Sequence, residues 1–528
     1  MKNKVKTVKE AIRLIKDGDC IAVTAAGLIG YPEYIVRMLE EKFLSEGHPN
    51  RLTLYSGCGH GVPMKNLGDG HFAHSGFLKK VVCSHPDVVP SVRDMIERNE
   101  IEAYVLPQGI LNQLYRSSAA RQPGILSKIG MGTYIDPRQD GGKMNRVTTR
   151  DIVRVMELDG EEWLFYESQP VTVAIVRGTT ADENGNISIE KEALRLEILE
   201  AALAAKASGG IVIVQVERLA AAHSIPAKQV VIPGEIVDAV VVADDVAKDH
   251  RQTDGTLYSP YKSGELRAPF GVAAESAVEL TPADIICRRA VFELQKGAIV
   301  NVGVGVGAGV GRAAAVENMA DQMTFTLELG AIGGTPQQGS DFGSSVNPDS
   351  FLAHPSMFDF YHGGNLDITF LGAAQIDAEG NVNVSRFGGR PAGQGGFIDI
   401  SQSSKKIVFC TYFKTKGFRA VVDAKGIHIT KEGTIPKFVS GVEQITFNGD
   451  FARRRKQEVI IVTEHCVFQL GDKGMMLTEL APGIDLERDI LGQMEFKPLI
   501  SPDLKRMDSR IFKVGRMGCF DTPDAFGE

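Results

Sequence analysis

Apolar and polar positions alternate along this chain in two interleaved rhythms, one helical and one strand-like. TVKE at Thr7–Glu10 has the form of a helix-capping box, and Val8, Ala11, Ile12 and Ile15 fall on one face of the helix it starts. Gly18 is expected to end that helix, and DCIAV follows as a buried strand. The phrase returns much later. Thr281 caps a helix with Pro282 at its first position, and Cys287, Ala290, Val291 and Leu294 form its apolar face. Gly297 closes it, and AIVNV follows as a strand.

A second phrase also occurs twice. VTVAIVRGTTADENGNISI, residues 171–189, reads as a strand, a turn built on Asp182, Gly185 and Asn186, and a further strand. LDITFLGAAQIDAEGNVNV, residues 366–384, places Asp377, Gly380 and Asn381 in the matching positions. Each copy precedes another buried strand, GGIVIVQVERL from Gly209 and KKIVFCTYF from Lys405. Two copies of the same sequence of elements predict an α/β protein. Two related open α/β domains with largely parallel sheets are expected, at 1–270 and 271–528, the second carrying Glu328. The polar, turn-rich stretch 249–278 reads as the linker. From about Gly417 the pattern shifts to short strands with glycine turns, predicting extra antiparallel strands.

Composition narrows the function classes. At 528 residues the chain exceeds one ordinary core, which agrees with two domains. A net charge of −8 argues against nucleic acid as a partner, and RRRK at Arg453–Lys456 reads as a solvated surface turn. No membrane association is expected, because the longest uncharged stretch, 297–311, is short and glycine-rich. The N-terminal MKNKVKTVKEAIRL lacks the form of a secretion signal, and seven cysteines without a CxxC pair suit a reducing cytoplasm.

Three groups of residues could carry chemistry. GVGVGAGVG at Gly303–Gly311 brings backbone close to a ligand, but its glycines do not spell the dinucleotide fingerprint unless Ala308 takes the third place. Cys58, His60, His71, His74, Cys83 and His85 include metal-ligating types, yet their spacing matches no zinc finger, so no metal site is expected. The third is Glu328, the single acid of TFTLELGAIGGTPQQG. Buried-looking residues precede it, and GAIGG after it reads as space for a ligand to approach. A carboxylate at the end of a parallel strand stands where α/β ligands bind.

Five motifs give the chain a resemblance to the family I coenzyme A transferases, of the acetate or propionate CoA-transferase type. They are TLELGAIGG (326–334), LPQGIL (106–111), GMGTYIDPRQDGGKMN (130–145), FDFYHGGNLDITFLG (358–372) and GQGGFIDIS (393–401). The resemblance implies that Glu328 is the catalytic nucleophile and Gln108 a side-chain oxyanion donor, with Gly395 and Gly396 as backbone oxyanion donors. It further implies that Gly303, Val304, Gly305 and Asn347 line the acyl-CoA site. Acyl-CoA and short-chain carboxylates would be the partners, with coenzyme A thioesters as substrates and no cofactor bound permanently. A homodimer or homotetramer is implied as well. One departure is Leu329, where many relatives carry a small or hydroxyl residue, a change that bears on acyl-pocket polarity. Two other readings of the scaffold are an acyl-CoA hydrolase using the same glutamate and a non-catalytic effector-binding protein.

Overall fold

A computed structural model describes the chain except for residues 1–3, 63, 64, 66, 270–278, 519 and 521–528. The boundary expected at 270 and the end of the expected linker therefore lie outside the described residues. Two compact units are present. The first comprises Met1–Ala268, Leu327–Asp359 and Gly389–Asp399; the second comprises Pro269–Thr326, Phe360–Gly388 and Ile400–Glu528. By this division Glu328 groups with the N-terminal part of the chain.

In the first unit, Thr7 caps helix α1 (Val8–Ile12) with the reciprocal Glu10 bonds of a capping box. The helix is shorter than its apolar pattern predicts. Leu14 and Ile15 donate three residues back, to Ala11 and Ile12, which tightens the chain before Gly18 is reached. Gly18 instead bends the entry to the first strand, at φ +78°. Seven strands form the sheet: β1 (Cys20–Val23), β2 (Leu52–Ser56), β3 (Leu78–Cys83), β4 (Glu102–Val105), β5 (Val173–Arg177), β6 (Ile211–Val216) and β7 (Ala239–Val242). Their order is β7-β6-β5-β1-β2-β3-β4, and every pairing is parallel. Side chains of β1, β2 and β5 are buried throughout, as the continuous apolar runs require of a sheet covered on both faces. Helices α2 (Gln108–Ala119) and α3 (Ile198–Ala207) pack beside it.

The second unit repeats the plan. Thr281 and Asp284 form a capping box at α4 (Pro282–Val291). Strands β8 (Ile299–Val302), β9 (Thr324–Thr326), β10 (Ile368–Leu371), β11 (Lys406–Cys410) and β12 (Glu458–Val462) pair in the order β12-β11-β10-β8-β9, again all parallel. This is the order of β7-β6-β5-β1-β2. The sheet continues through β13 (Cys466–Gly471), β14 (Gly474–Leu480) and β15 (Leu499–Arg506), joined antiparallel, antiparallel and then parallel. The C-terminal strands expected from the sequence are thus present, with a parallel last pair.

The repeated turn keeps the same three hydrogen bonds in both copies. Asp182 Oδ1 accepts from the Asn186 backbone at 2.9 Å and Oδ2 from its side chain at 3.0 Å. Asp377 and Asn381 show the same two bonds at 2.9 and 3.0 Å. The asparagine oxygen then accepts a glycine N–H, Gly234 at 2.9 Å in one unit and Gly449 at 3.0 Å in the other. A side chain on Gly234 would meet the Asn184 carbonyl at 2.4 Å, and one on Gly449 the Glu379 carbonyl at 2.2 Å.

Candidate active site

Glu328 follows β9 by two residues and sits inside a tight turn, because Gly330 donates to the Leu327 carbonyl at 2.9 Å. Its neighbours Leu327 and Leu329 are buried, while Glu328 itself is half-buried. The glycines after it serve a different end from the one expected. Side chains on Gly330, Gly333 and Gly334 would meet the Leu352 carbonyl at 2.3 Å, Asp349 Oδ2 at 2.0 Å and the Val346 carbonyl at 2.3 Å. Their φ values of +115°, +76° and +72° also lie where L side chains are strained. The space they create is taken by the protein's own 346–352 segment, not left open for a ligand. Leu329 is turned toward the 343 loop, since a side chain on Gly343 would lie 2.6 Å from its Cδ1.

Gln108 opens α2, with Pro107 at the cap position where a missing N–H costs nothing. Its side chain is buried. Nε2 lies 2.9 Å from Nε2 of His354, and Nδ1 of His354 lies 2.8 Å from Oε2 of Glu197. His354 and Glu197 are both wholly buried. The partners set the roles of the two ring nitrogens: the Glu197 carboxylate takes an N–H from Nδ1, and the Gln108 amide nitrogen, a donor, is matched by an acceptor at Nε2. Leu196, at φ +52°, directs the chain toward this pair, and its carbonyl accepts the His354 N–H at 3.1 Å. The helix start is crowded. Gly109 donates to buried Asp399 at 3.1 Å, and a side chain there would lie 2.6 Å from both Asp399 and Phe358.

The glycine loop is fixed to the same place. Gln394 and Gly395 both donate to the Ser84 carbonyl at 3.0 Å, and the Gly395 carbonyl accepts the Gln108 N–H at 3.3 Å. A side chain on Gly395, at φ +56°, would lie 3.4 Å from Gln108 Oε1 and 4.0 Å from His85 Nδ1. The Gly395 N–H is therefore committed to Ser84. Buried Gly396 is different: among the described residues its N–H has no acceptor. Gln394 adds a feature the sequence did not announce. Its Oε1 accepts from the Tyr134 hydroxyl, while its buried Nε2 has no partner among the described residues.

The remaining candidates separate. Asn347, at φ +58°, uses both ends of its amide on Ala268, accepting its N–H at 2.7 Å and donating to its carbonyl at 3.2 Å. Gly303, Val304 and Gly305 belong to the second unit. Gly303 donates to the Phe370 carbonyl at 2.9 Å, Gly305 turns at φ +94°, and Val304 is 59% exposed between them.

Of the six cysteines and histidines, His71 bridges Glu33 and Glu40, 2.5 Å from each, and His74 lies 2.6 Å from the same Glu40. Burial alone would lower the His71 pKa, but these two carboxylates raise it. Cys83 and Cys58 have thiol pKa values pushed up by burial, and at Cys58 the Glu328 charge adds to the effect. Burial pushes His85 down. Among the described residues no three or more His, Cys, Asp or Glu side chains are placed to hold a metal ion. Nor, among them, is any helix long and apolar enough to cross a membrane.

Comparison with known proteins identifies the family. A family profile described as "Coenzyme A transferase" matches residues 5–243. The chain is 44% identical over 511 residues to a caffeate CoA-transferase of Acetobacterium woodii, covering 96% of this chain and 97% of that one. It is 39% identical over 522 residues to the acetate CoA-transferase YdiF of Escherichia coli O157:H7, covering 99% and 97%. The crystal structure of that acyl-CoA transferase without ligand superposes with a TM-score of 0.91 at 38% identity, over 98% of this chain and 97% of that one. A second structure of it, described as a thioester complex with CoA, matches equally well, with the same score, identity and coverage.

Proposed function

Because this chain belongs to the coenzyme A transferase family, we propose that it moves coenzyme A between short-chain carboxylic acids by way of a covalent thioester on Glu328. A carboxylate oxygen of Glu328 attacks the carbonyl carbon of an acyl-CoA. The carbon–sulfur bond breaks, leaving an acyl–glutamyl anhydride and the CoA thiolate. That thiolate attacks the glutamyl carbonyl, and the donor acid departs as a carboxylate. A second carboxylate then attacks the glutamyl thioester, and the same two exchanges in reverse give the new acyl-CoA and free Glu328. No proton is gained or lost in the cycle.

Each attack places negative charge on a carbonyl oxygen, which donors must meet at about 2.7–3.1 Å. The observation that carries the reading is the Gln108 amide at the start of α2, buried and held by His354 with one N–H still uncommitted among the described residues, together with the Gly396 N–H, which has no acceptor among them. These two N–H groups are the oxyanion donors in this reading, and Gly395 shapes the loop. Water exclusion protects the thioester energy, and the half-buried turn of Glu328 suits that need. Gly303, Val304 and Gly305 are assigned to acyl-CoA binding, and Asn347 to holding the 268 region in place.

The halves 1–270 and 271–528 are read as products of duplication, supported by the paired turns and strand orders. The assembly is taken as a homodimer or homotetramer. A cytoplasmic location is part of this reading, and the six free thiols among the described residues are compatible with it. An acceptor panel tests the function. With acetyl-CoA as donor, propionate and butyrate should each yield their CoA thioesters, and free thiol should not appear without an acceptor. A relative named for caffeate puts an aryl-propenoate on the same panel. Thiol release that ignores added carboxylate would replace transfer with hydrolysis, and no reaction with any acceptor would remove the reading.

A further inference from the structure

We propose that His354 and Glu197 are positioning residues that hold the Gln108 amide in its oxyanion-binding orientation; this rests on the proposed Glu328 chemistry. A glutamine side chain has three rotatable bonds and a terminal amide whose two ends are nearly the same shape. Left to itself it presents N–H or C=O to the acyl oxygen with little preference, and a carbonyl there would repel the developing charge. The observed chain of contacts removes the ambiguity. Glu197 Oε2 takes the proton of His354 Nδ1, 2.8 Å away, and the Gln108 amide nitrogen faces the lone pair of Nε2 on the other side of the ring. That lone pair, 2.9 Å from Gln108, accepts only from the NH2 end. The reversed amide would set a carbonyl oxygen against the Nε2 lone pair.

Burial makes the arrangement selective. His354 and Glu197 show no exposure and Gln108 only 2%, so water cannot stand in for a missing partner. Three segments distant in sequence converge to form it. The left-handed Leu196 aims the start of α3, Pro355 follows His354, and Gly109 admits Phe358 and Asp399 beside the Gln108 backbone. Neither His354 nor Glu197 is assigned contact with substrate here; their effect passes through Gln108.

The test measures the rate of covalent adduct formation at Glu328 on mixing full-length enzyme with acetyl-CoA. His354→Phe should slow it by roughly 10–100-fold, less than the full loss of an oxyanion donor, with KM for acetyl-CoA little changed. His354→Gln, whose side-chain oxygen reaches the Nε2 position and can accept from Gln108, should recover most of the rate. In a Gln108→Ala background His354→Phe should cost nothing more, because its target is gone. A wild-type rate in His354→Phe, or an equal further loss in the Gln108→Ala background, would overturn the proposal. If His354→Phe lacks a cooperative thermal transition, Glu197→Gln decides. Its amide can impose the other histidine tautomer, so a several-fold slower rate is expected and an unchanged one contradicts positioning. Wild-type enzyme that forms no adduct at all would instead refute the Glu328 chemistry itself.

Discussion

The Gly395 N–H donates to the carbonyl of Ser84 at 3.0 Å, so the first glycine after Gln394 is already committed to holding the loop. The oxyanion role falls to the next residue. Gly396→Pro, which deletes the uncommitted N–H, should lower kcat by roughly 10²–10³-fold. Gly395→Ala keeps its N–H and should cost far less activity, though its φ of +56° strains the variant. Steady-state kinetics of the two variants, side by side, checks the division of labour.

Gly330 is where the turn of Glu328 is most sensitive. An alanine methyl there would sit 2.3 Å from the Leu352 carbonyl at a φ of +115°. Gly330→Ala should destabilise the protein by about 2 kcal/mol or more and displace the carboxylate. A lowered thermal midpoint together with loss of turnover is the expected result.

A pH-dependent stability should come from Glu192. Burial alone would raise its pKa, but Arg177, 2.5 Å away, and His250 hold it down to about 2, against an ordinary 4.5. A depressed acid contributes stability above its unfolded value and loses it as pH falls through the folded one. The contribution is therefore whole above about pH 4.5 and fades toward pH 2. Glu192→Gln should be less stable by about 3–5 kcal/mol near neutral pH, because Arg177 is left buried without its carboxylate. The gap from wild type should narrow on acidification. Denaturation midpoints across this pH range measure it.

The twin turns should respond alike. Asn186→Ala and Asn381→Ala each remove one donated and one accepted hydrogen bond. Each should cost about 1–3 kcal/mol, read from urea denaturation. A large effect at one turn and none at the other would contradict their equivalence.

The repeated plan was legible because its signals are local: a Thr cap, an Asp-x-x-Gly-Asn turn and an apolar run each lie within a few residues. The parallel sheets follow from those runs. Glu328 and Gln108 were legible as parts of long motifs. Their support was not, since Glu197 and His354 are 157 residues apart and neither stands in a recognisable pattern. The glycines after Glu328 were misread as open space because composition reveals the need for small residues without naming what crowds them. His71 and His74 show the converse. Their ligand-like spacing serves Glu33 and Glu40, which lie on a helix that the spacing does not mention. The direction of one N–H, which separates Gly395 from Gly396, depends on backbone torsions that no residue type dictates.

The most direct measurement is the mass of the intact protein after brief exposure to acetyl-CoA, with peptide mapping after borohydride treatment. A CoA-sized increase that borohydride removes, converting the side chain at Glu328 alone to the alcohol, is the predicted result. Unmodified wild-type protein, or the same increase in Glu328→Ala, would contradict the account.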